Sequence, residues 1–130
     1  MNKFKLYFDG NKTPEGVSCS YSLTTYEDKV IFEETLELPQ NTTVPEAEYF
    51  GVIKGIEKAL QYFKDKNFDL KNVVLDIYGD SQLVIKQLTG EYECKKTQLR
   101  ILRSKVKNLL AENFLSYSFN WVPREKNIVK

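Results

Sequence analysis

The amino-acid sequence predicts an α/β fold of the mixed (α+β) kind. One five-stranded sheet runs antiparallel through its first three strands and parallel thereafter, with helices packed on its faces. Three observations carry this reading. Residues 4–38 hold three strand-like stretches joined by short polar connections, which makes an antiparallel meander. The apolar, β-branched run Asn72-Val73-Val74-Leu75-Asp76-Ile77 reads as a buried strand, followed at once by Gly79-Asp80-Ser81 and a short helical pattern. The periods along the chain follow the order βββ-α-β-α-α-β.

Phe4, Leu6 and Phe8 alternate with Lys5, Tyr7 and Asp9, the two-residue period of a strand. Residues 10–16 have turn composition. Val17–Leu23 is a second strand, residues 24–28 a polar turn, and Lys29–Leu38 a third strand with Val30, Phe32, Leu36 and Leu38 apolar. Residues 39–45, rich in Asn, Thr and Pro, form a loop. From Glu46 to about Asp65, Tyr49, Val52, Ile53, Ile56, Leu60 and Phe63 recur at helical spacing and define an inward stripe. At about 100° per residue, Lys54, Glu57, Lys58 and Gln61 fall on the opposite face, and Glu46 lies with them. Glu48 instead lies at the border of the apolar stripe, in line with Val52, Gly55 and Ala59. Small residues in that line let the helix approach a sheet closely. A carboxylate at the border is partly desolvated and needs a partner; the alternative is a Glu that snorkels to solvent.

Residues 67–71 form a loop before the strand that ends at Asp80. A helix from Ser81 to about Leu88 stops near Gly90, a natural C-terminal glycine. After the polar connection 91–96, Thr97–Glu112 is amphipathic, with Leu99, Leu102, Val106, Leu109 and Leu110 inside. Residues 115–122 alternate Leu115, Tyr117, Phe119 and Trp121 against Ser116, Ser118 and Asn120, a fifth strand. Trp121 is expected to pack in the core, with stacking on a ligand as the alternative.

The 130 residues suffice for one domain with a real core and are too few for two. A net charge of +1 excludes an overall basic field, so any nucleic-acid surface must be local. There is no apolar run long enough for a membrane span, and the start lacks the apolar region of a secretory signal. Cys19 and Cys94 fit no metal spacing, and free thiols in a reducing cytoplasm are expected. The chain has no histidine, which removes Ser-His and Cys-His catalysis. Chemistry must run on carboxylates, Lys, Arg or Tyr.

Asp80 sits where a strand ends and a helix begins, the sheet edge at which open α/β folds bind ligands. It is also a favoured helix cap, and the two roles can coexist. If strands one and four are parallel neighbours, Asp9 and Asp80 lie side by side, and the first helix can bring Glu48 over them. Three clustered carboxylates raise each other's pKa values, and a hard divalent cation makes such a cluster tolerable. Mg²⁺ takes few protein carboxylates plus waters and substrate phosphates. Two ions roughly 3.5–4 Å apart can activate a water and stabilise the leaving oxygen of a phosphodiester.

Four stretches extend this pattern: Tyr7-Phe8-Asp9-Gly10, Ala47-Glu48-Tyr49, the run Tyr78–Ile85 with Gln87–Tyr92 after it, and Trp121-Val122-Pro123-Arg124-Glu125-Lys126-Asn127. In this order and at these separations the chain resembles type 1 ribonuclease H, especially the small forms without a basic protrusion found in archaea, some bacteria and plant reverse-transcriptase-like proteins. The resemblance implies a single ribonuclease H-like domain over residues 1–130 and a metal-dependent endonuclease that cuts the RNA strand of RNA–DNA hybrids at a two-metal-ion carboxylate site. It implies Asp9, Glu48 and Asp80 as ligands of Mg²⁺ or Mn²⁺. The resemblance also implies that Arg124 would stand in for the catalytic histidine of many relatives, a surface salt bridge being the alternative. Phosphate and 2′-hydroxyl contacts would come from the backbone at Gly10, from Asn11, Thr43, Ser81 and Gln82, and from Lys95 and Lys96, unless those lysines are only a solvated loop. The expected partner is the hybrid, with no membrane and a monomeric state.

Three departures stand out. The family's fourth acid would fall at the first position beyond Lys130, on a final helix that these residues do not contain. Val44 and Pro45 replace polar residues that reach the hybrid's minor groove in relatives, and the histidine is missing. Weak Mg²⁺ binding and slow or absent cleavage are therefore expected of this form. The alternative function is a binding or interaction module that keeps the fold but does not cut; a weaker one is a nuclease acting on another nucleic acid.

Overall fold

The structure is a computed structural model that describes residues 2–130. Strands β1 (Asn2–Thr13), β2 (Gly16–Thr25) and β3 (Val30–Leu38) form the meander. They are followed by α1 (Val44–Asp65), β4 (Val73–Gly79), α2 (Gln82–Thr89), α3 (Thr97–Asn113) and β5 (Ser116–Trp121). Short 3-10 turns occupy Leu70–Asn72 and Arg124–Lys126. The sheet order is β3-β2-β1-β4-β5, antiparallel across β3, β2 and β1 and parallel across β1, β4 and β5. Among the described residues no helix is long and apolar enough to cross a membrane. Both cysteines are unbonded.

Several boundaries shift by a residue or two from the sequence reading, and two of the differences bear on the site. The β1–β2 ladder continues to Thr13↔Gly16, so the long turn shrinks to Pro14 and Glu15. Turn-forming residues at 10–13 are overridden because pairing satisfies their backbone groups. The first helix begins at Val44 rather than Glu46. Thr43 caps it, with Oγ1 accepting from the Glu46 N–H and the Glu46 carboxylate accepting from the Thr43 N–H. Pro45 sits in the first turn, where its missing N–H costs no helical bond.

The core lies between the sheet and α1, which packs across β1 and β2 with α3 beside it. Phe4, Leu6, Phe8, Tyr21, Leu23, Leu75 and Ile77 meet Tyr49, Val52, Ile53, Ile56 and Phe63, and Val84, Leu88, Leu99, Val106 and Leu110 complete it. The stripe read from α1 is thus the buried one. The fifth strand departs from expectation: Leu115 is 76% exposed and Trp121 is 45% exposed. Leu115 lies just before β5, and Trp121 is the last residue of this edge strand.

Among the glycines, the closest helix–sheet approach is at Gly10. A Cβ built there would lie 2.5 Å from the Glu48 backbone nitrogen. A methyl group cannot be absorbed by rotating a side chain, so the start of α1 must lift. Gly10→Ala is expected to destabilise the fold by about 1–3 kcal/mol, the usual range for overpacking, read as a lower midpoint in urea unfolding. An unchanged midpoint would show that α1 is not seated on this residue.

Candidate active site

Phe8 and Gly79 are the last register pair of β1 and β4, and Asp9 and Asp80 follow them at the same edge. With α1 seated on Gly10, Glu48 enters from above. One carboxylate oxygen from each of Asp9, Glu48 and Asp80 lies within 4.8 Å of the others. Asp9 is 3% exposed and Glu48 8%. The desolvated Glu48 inferred from helical phase is therefore observed, and the snorkelling alternative is not.

Asp80 does not cap α2. Ser81 does, its Oγ accepting from the Val84 N–H at 3.2 Å. The Asp80 carboxylate is instead approached by Arg124 Nη1 at 3.8 Å and by the Asn127 amide at 3.4 Å, both at Oδ2. The Trp121 indole N–H donates to the Asp80 carbonyl at 3.1 Å, so the exposed tryptophan braces the end of β4 rather than filling the core.

Burial and the neighbouring Asp80 charge push the Asp9 carboxyl up to about 6, against the opposing pull of Arg124, the Gly10 N–H and Lys130. Burial also raises Glu48, to about 7; the Ser81 hydroxyl and Arg124 pull it down while Asp9 and Asp80 push it up. Asp9 Oδ2 is buried with no hydrogen-bond partner among the described residues. An orphaned carboxylate oxygen is costly, and here it belongs to a set of hard oxygen donors of the kind that hold Mg²⁺ or Mn²⁺. The residues fit such an ion.

The remaining candidates divide. Gly10 and Asn11 continue from Asp9 along β1, Asn11 being exposed, and Gln82 is exposed in the first turn of α2. The Ser81 hydroxyl serves the helix cap and Glu48. The Thr43 side chain is engaged in the α1 cap. Lys96 shares a small cleft with Thr43, Pro45 and Gln98, whereas Lys95 lines a different hollow with Tyr92, Arg100 and Arg103 and lies 3.8 Å from Glu93. Arg124 is exposed beside Asp80, which accommodates both its functional reading and the salt-bridge alternative. The sequence reading passed over Asn127, although it stands in the quoted Trp121–Asn127 stretch. A polar residue ending that stretch was the only available signal.

Residues 8–129 match the family described as reverse transcriptase-like. The chain is 30% identical over 125 residues to ribonuclease HI of Halobacterium salinarum, covering 93% of this chain and 57% of that protein. It is 27% identical over 118 residues to a bifunctional protein of Mycobacterium tuberculosis, covering 91% of this chain and 29% of that one. The chain thus spans little more than half of the archaeal relative and under a third of the mycobacterial one. Its fold matches LC11 ribonuclease H1, solved in complex with an RNA/DNA hybrid, with a TM-score of 0.85, 26% identity, and coverage of 96% of this chain and 88% of that one.

The raised carboxyls make stability depend on pH. The folded protein holds protons that the unfolded chain releases. Their stabilisation is full below the ordinary values of 3.8 and 4.5 and is lost as pH rises through about 6 and 7. Glu48→Gln removes one such group. In chelator-containing buffer its stability relative to the parent should increase between about pH 5 and about pH 8, measured by urea unfolding. A pH-independent difference would show that Glu48 is not held proton-hungry by the fold.

Proposed function

The chain belongs to the reverse transcriptase-like family of small type 1 ribonucleases H, and on that premise we propose that it is a metal-dependent endonuclease that hydrolyses the RNA strand of RNA–DNA hybrids. The observation that carries this reading is the convergence of the Asp9, Glu48 and Asp80 carboxylates, one oxygen of which, Asp9 Oδ2, is buried without a partner among the described residues. Bound there, Mg²⁺ or Mn²⁺, as one ion or a pair, supplies activation of the attacking water and stabilisation of the leaving oxygen. Asp9, Glu48 and Asp80 would hold the metal, and their repulsion in its absence is what binding would relieve. The exposed Arg124 reaches in from solvent beside Asp80, a position suited to a substrate phosphate. The Gly10 backbone and Asn11, which follow Asp9 on β1, and Gln82, at the start of α2, are assigned to the nucleic acid. Lys96, beside the start of α1, is assigned to a more distant phosphate. LC11 ribonuclease H1 holding a hybrid supports this choice of substrate.

A second reading has its own observation. The acidic cluster among the described residues contains three carboxylates, and both Arg124 and Lys130 oppose their charge. That balance favours a module that binds a hybrid and cuts it slowly or not at all.

Cleavage of a labelled hybrid in Mg²⁺ or Mn²⁺, with duplex DNA and duplex RNA as controls, separates the readings. Hybrid-selective cleavage supports the endonuclease, and binding without cleavage supports the module. Asp80→Asn should lower cleavage by more than about 100-fold, beyond the usual loss of a ligand's hydrogen-bond partner, while leaving the metal-free protein as stable or more so. Parental cleavage by that variant would remove Asp80 from the site.

Glu48 and Glu46 offer a paired test. Glu48→Gln should impair cleavage strongly. Glu46→Gln should leave it intact and cost at most about 1 kcal/mol of stability through its weakened cap. Equal losses of activity would refute the distinction between the two faces.

A further inference from the structure

Asn127 is 2% exposed and every hydrogen-bonding group of its side chain is occupied. It follows the 3-10 turn Arg124–Lys126. Its Nδ2 donates to the Phe8 carbonyl at 2.9 Å and to Asp80 Oδ2 at 3.4 Å. Its Oδ1 accepts the Val129 N–H at 3.3 Å. Phe8 immediately precedes Asp9 and is the last β1 residue paired with β4. One primary amide therefore spans the two strand ends from which Asp9 and Asp80 emerge.

We propose that Asn127 is a positioning residue for the metal-binding carboxylates, setting the orientation of Asp80 and the spacing of the β1 and β4 ends. The proposal rests on the metal-site reading above. Its chemistry differs from that of Arg124, which approaches the same oxygen from solvent. A neutral amide orients a carboxylate without placing a fixed positive charge beside a site for cations. Anchorage to the Phe8 carbonyl gives that orientation a rigid reference, because β1 is paired on both sides. The contact from Val129 is made by its backbone N–H, which any side chain at that position retains.

The test compares Asn127→Ala with Val129→Ala in the full chain. Val129 is buried and shares the tail, but its side chain makes no bond to the acids. Mn²⁺ affinity is measured by electron paramagnetic resonance, and hybrid cleavage is followed against Mg²⁺ concentration. Asn127→Ala should weaken Mn²⁺ binding by about 10–100-fold, the range for losing a ligand's hydrogen-bond partner. The Mg²⁺ requirement should rise in parallel, with KM for the hybrid unchanged at saturating metal. Val129→Ala should lower the unfolding midpoint while keeping parental Mn²⁺ affinity. Parental affinity in Asn127→Ala, or an equal loss in Val129→Ala, overturns the proposal.

Should Asn127→Ala fail to fold, the parent's Asn127 side-chain amide resonances serve instead. They should shift along the same Mg²⁺ titration as the backbone amides of residues 9 and 80, and a static signal overturns the role. A parent that binds no Mn²⁺ overturns both this role and the metal-site reading, whereas parental metal binding in a folded Asn127→Ala overturns only the role of Asn127.

Discussion

The parallel pairing of β1 with β4 is the constraint on which the rest depends. Its register ends at Phe8↔Gly79, so Asp9 and Asp80 leave the sheet together at one edge. A one-residue slip would turn one of the two acids to the opposite face. The slip is resisted by the apolar pairs behind it, Phe4 with Leu75 and Leu6 with Ile77, which are buried against α1. Core packing therefore specifies the carboxylate geometry, although none of these four apolar residues hydrogen-bonds Asp9, Glu48 or Asp80 through its side chain.

Glu48 joins this edge because α1 lies unusually close to the sheet. Gly10 admits the helix start, and Gly51 and Gly55 continue the approach, the latter against Leu6. The cost is electrostatic. Closing the helix onto the sheet desolvates two acids and brings all three near one another, which raises Asp9 and Glu48 toward neutral pH. A group of like charges with one unsatisfied oxygen is an arrangement that hydrophobic packing sustains and a divalent cation would relieve. Stability of the metal-free fold and the proposed affinity for metal are thus opposite sides of one interaction.

The segment after β5 closes the other side. The Trp121 indole braces the Asp80 carbonyl, Arg124 approaches Asp80 from solvent, and Asn127 reaches back to Phe8. β5 pairs with β4 in parallel, so its exit lies at the same edge as the exits of β1 and β4. Sheet topology alone delivers these residues to the acids.

Much of this was legible from local pattern. Periodicities of 2 and 3.6 residues marked the strands and helices, and helical phase distinguished Glu48 from Glu46, because these signals repeat over several turns. The acids at the ends of β1 and β4 were legible because a strand's end is a local property. Where local chemistry competes with long-range pairing, the sequence alone misleads. Residues 10–13 have turn composition yet extend a strand, since β2 offers their backbone a ladder. Trp121 alternates like a core residue yet is exposed, since nothing in its own segment reveals that β5 is an edge. Asp80 has a capping residue's chemistry, but Ser81 takes the cap and frees the carboxylate. Asn127 lay furthest from reach: its partners are 119 and 47 residues away in the chain. The sequence by itself determined the elements, their order and the acids available. Only the tertiary structure decided how closely the acids meet, how deeply they are buried and what holds them, because burial and hydrogen bonding are set by neighbours that the chain brings together only on folding.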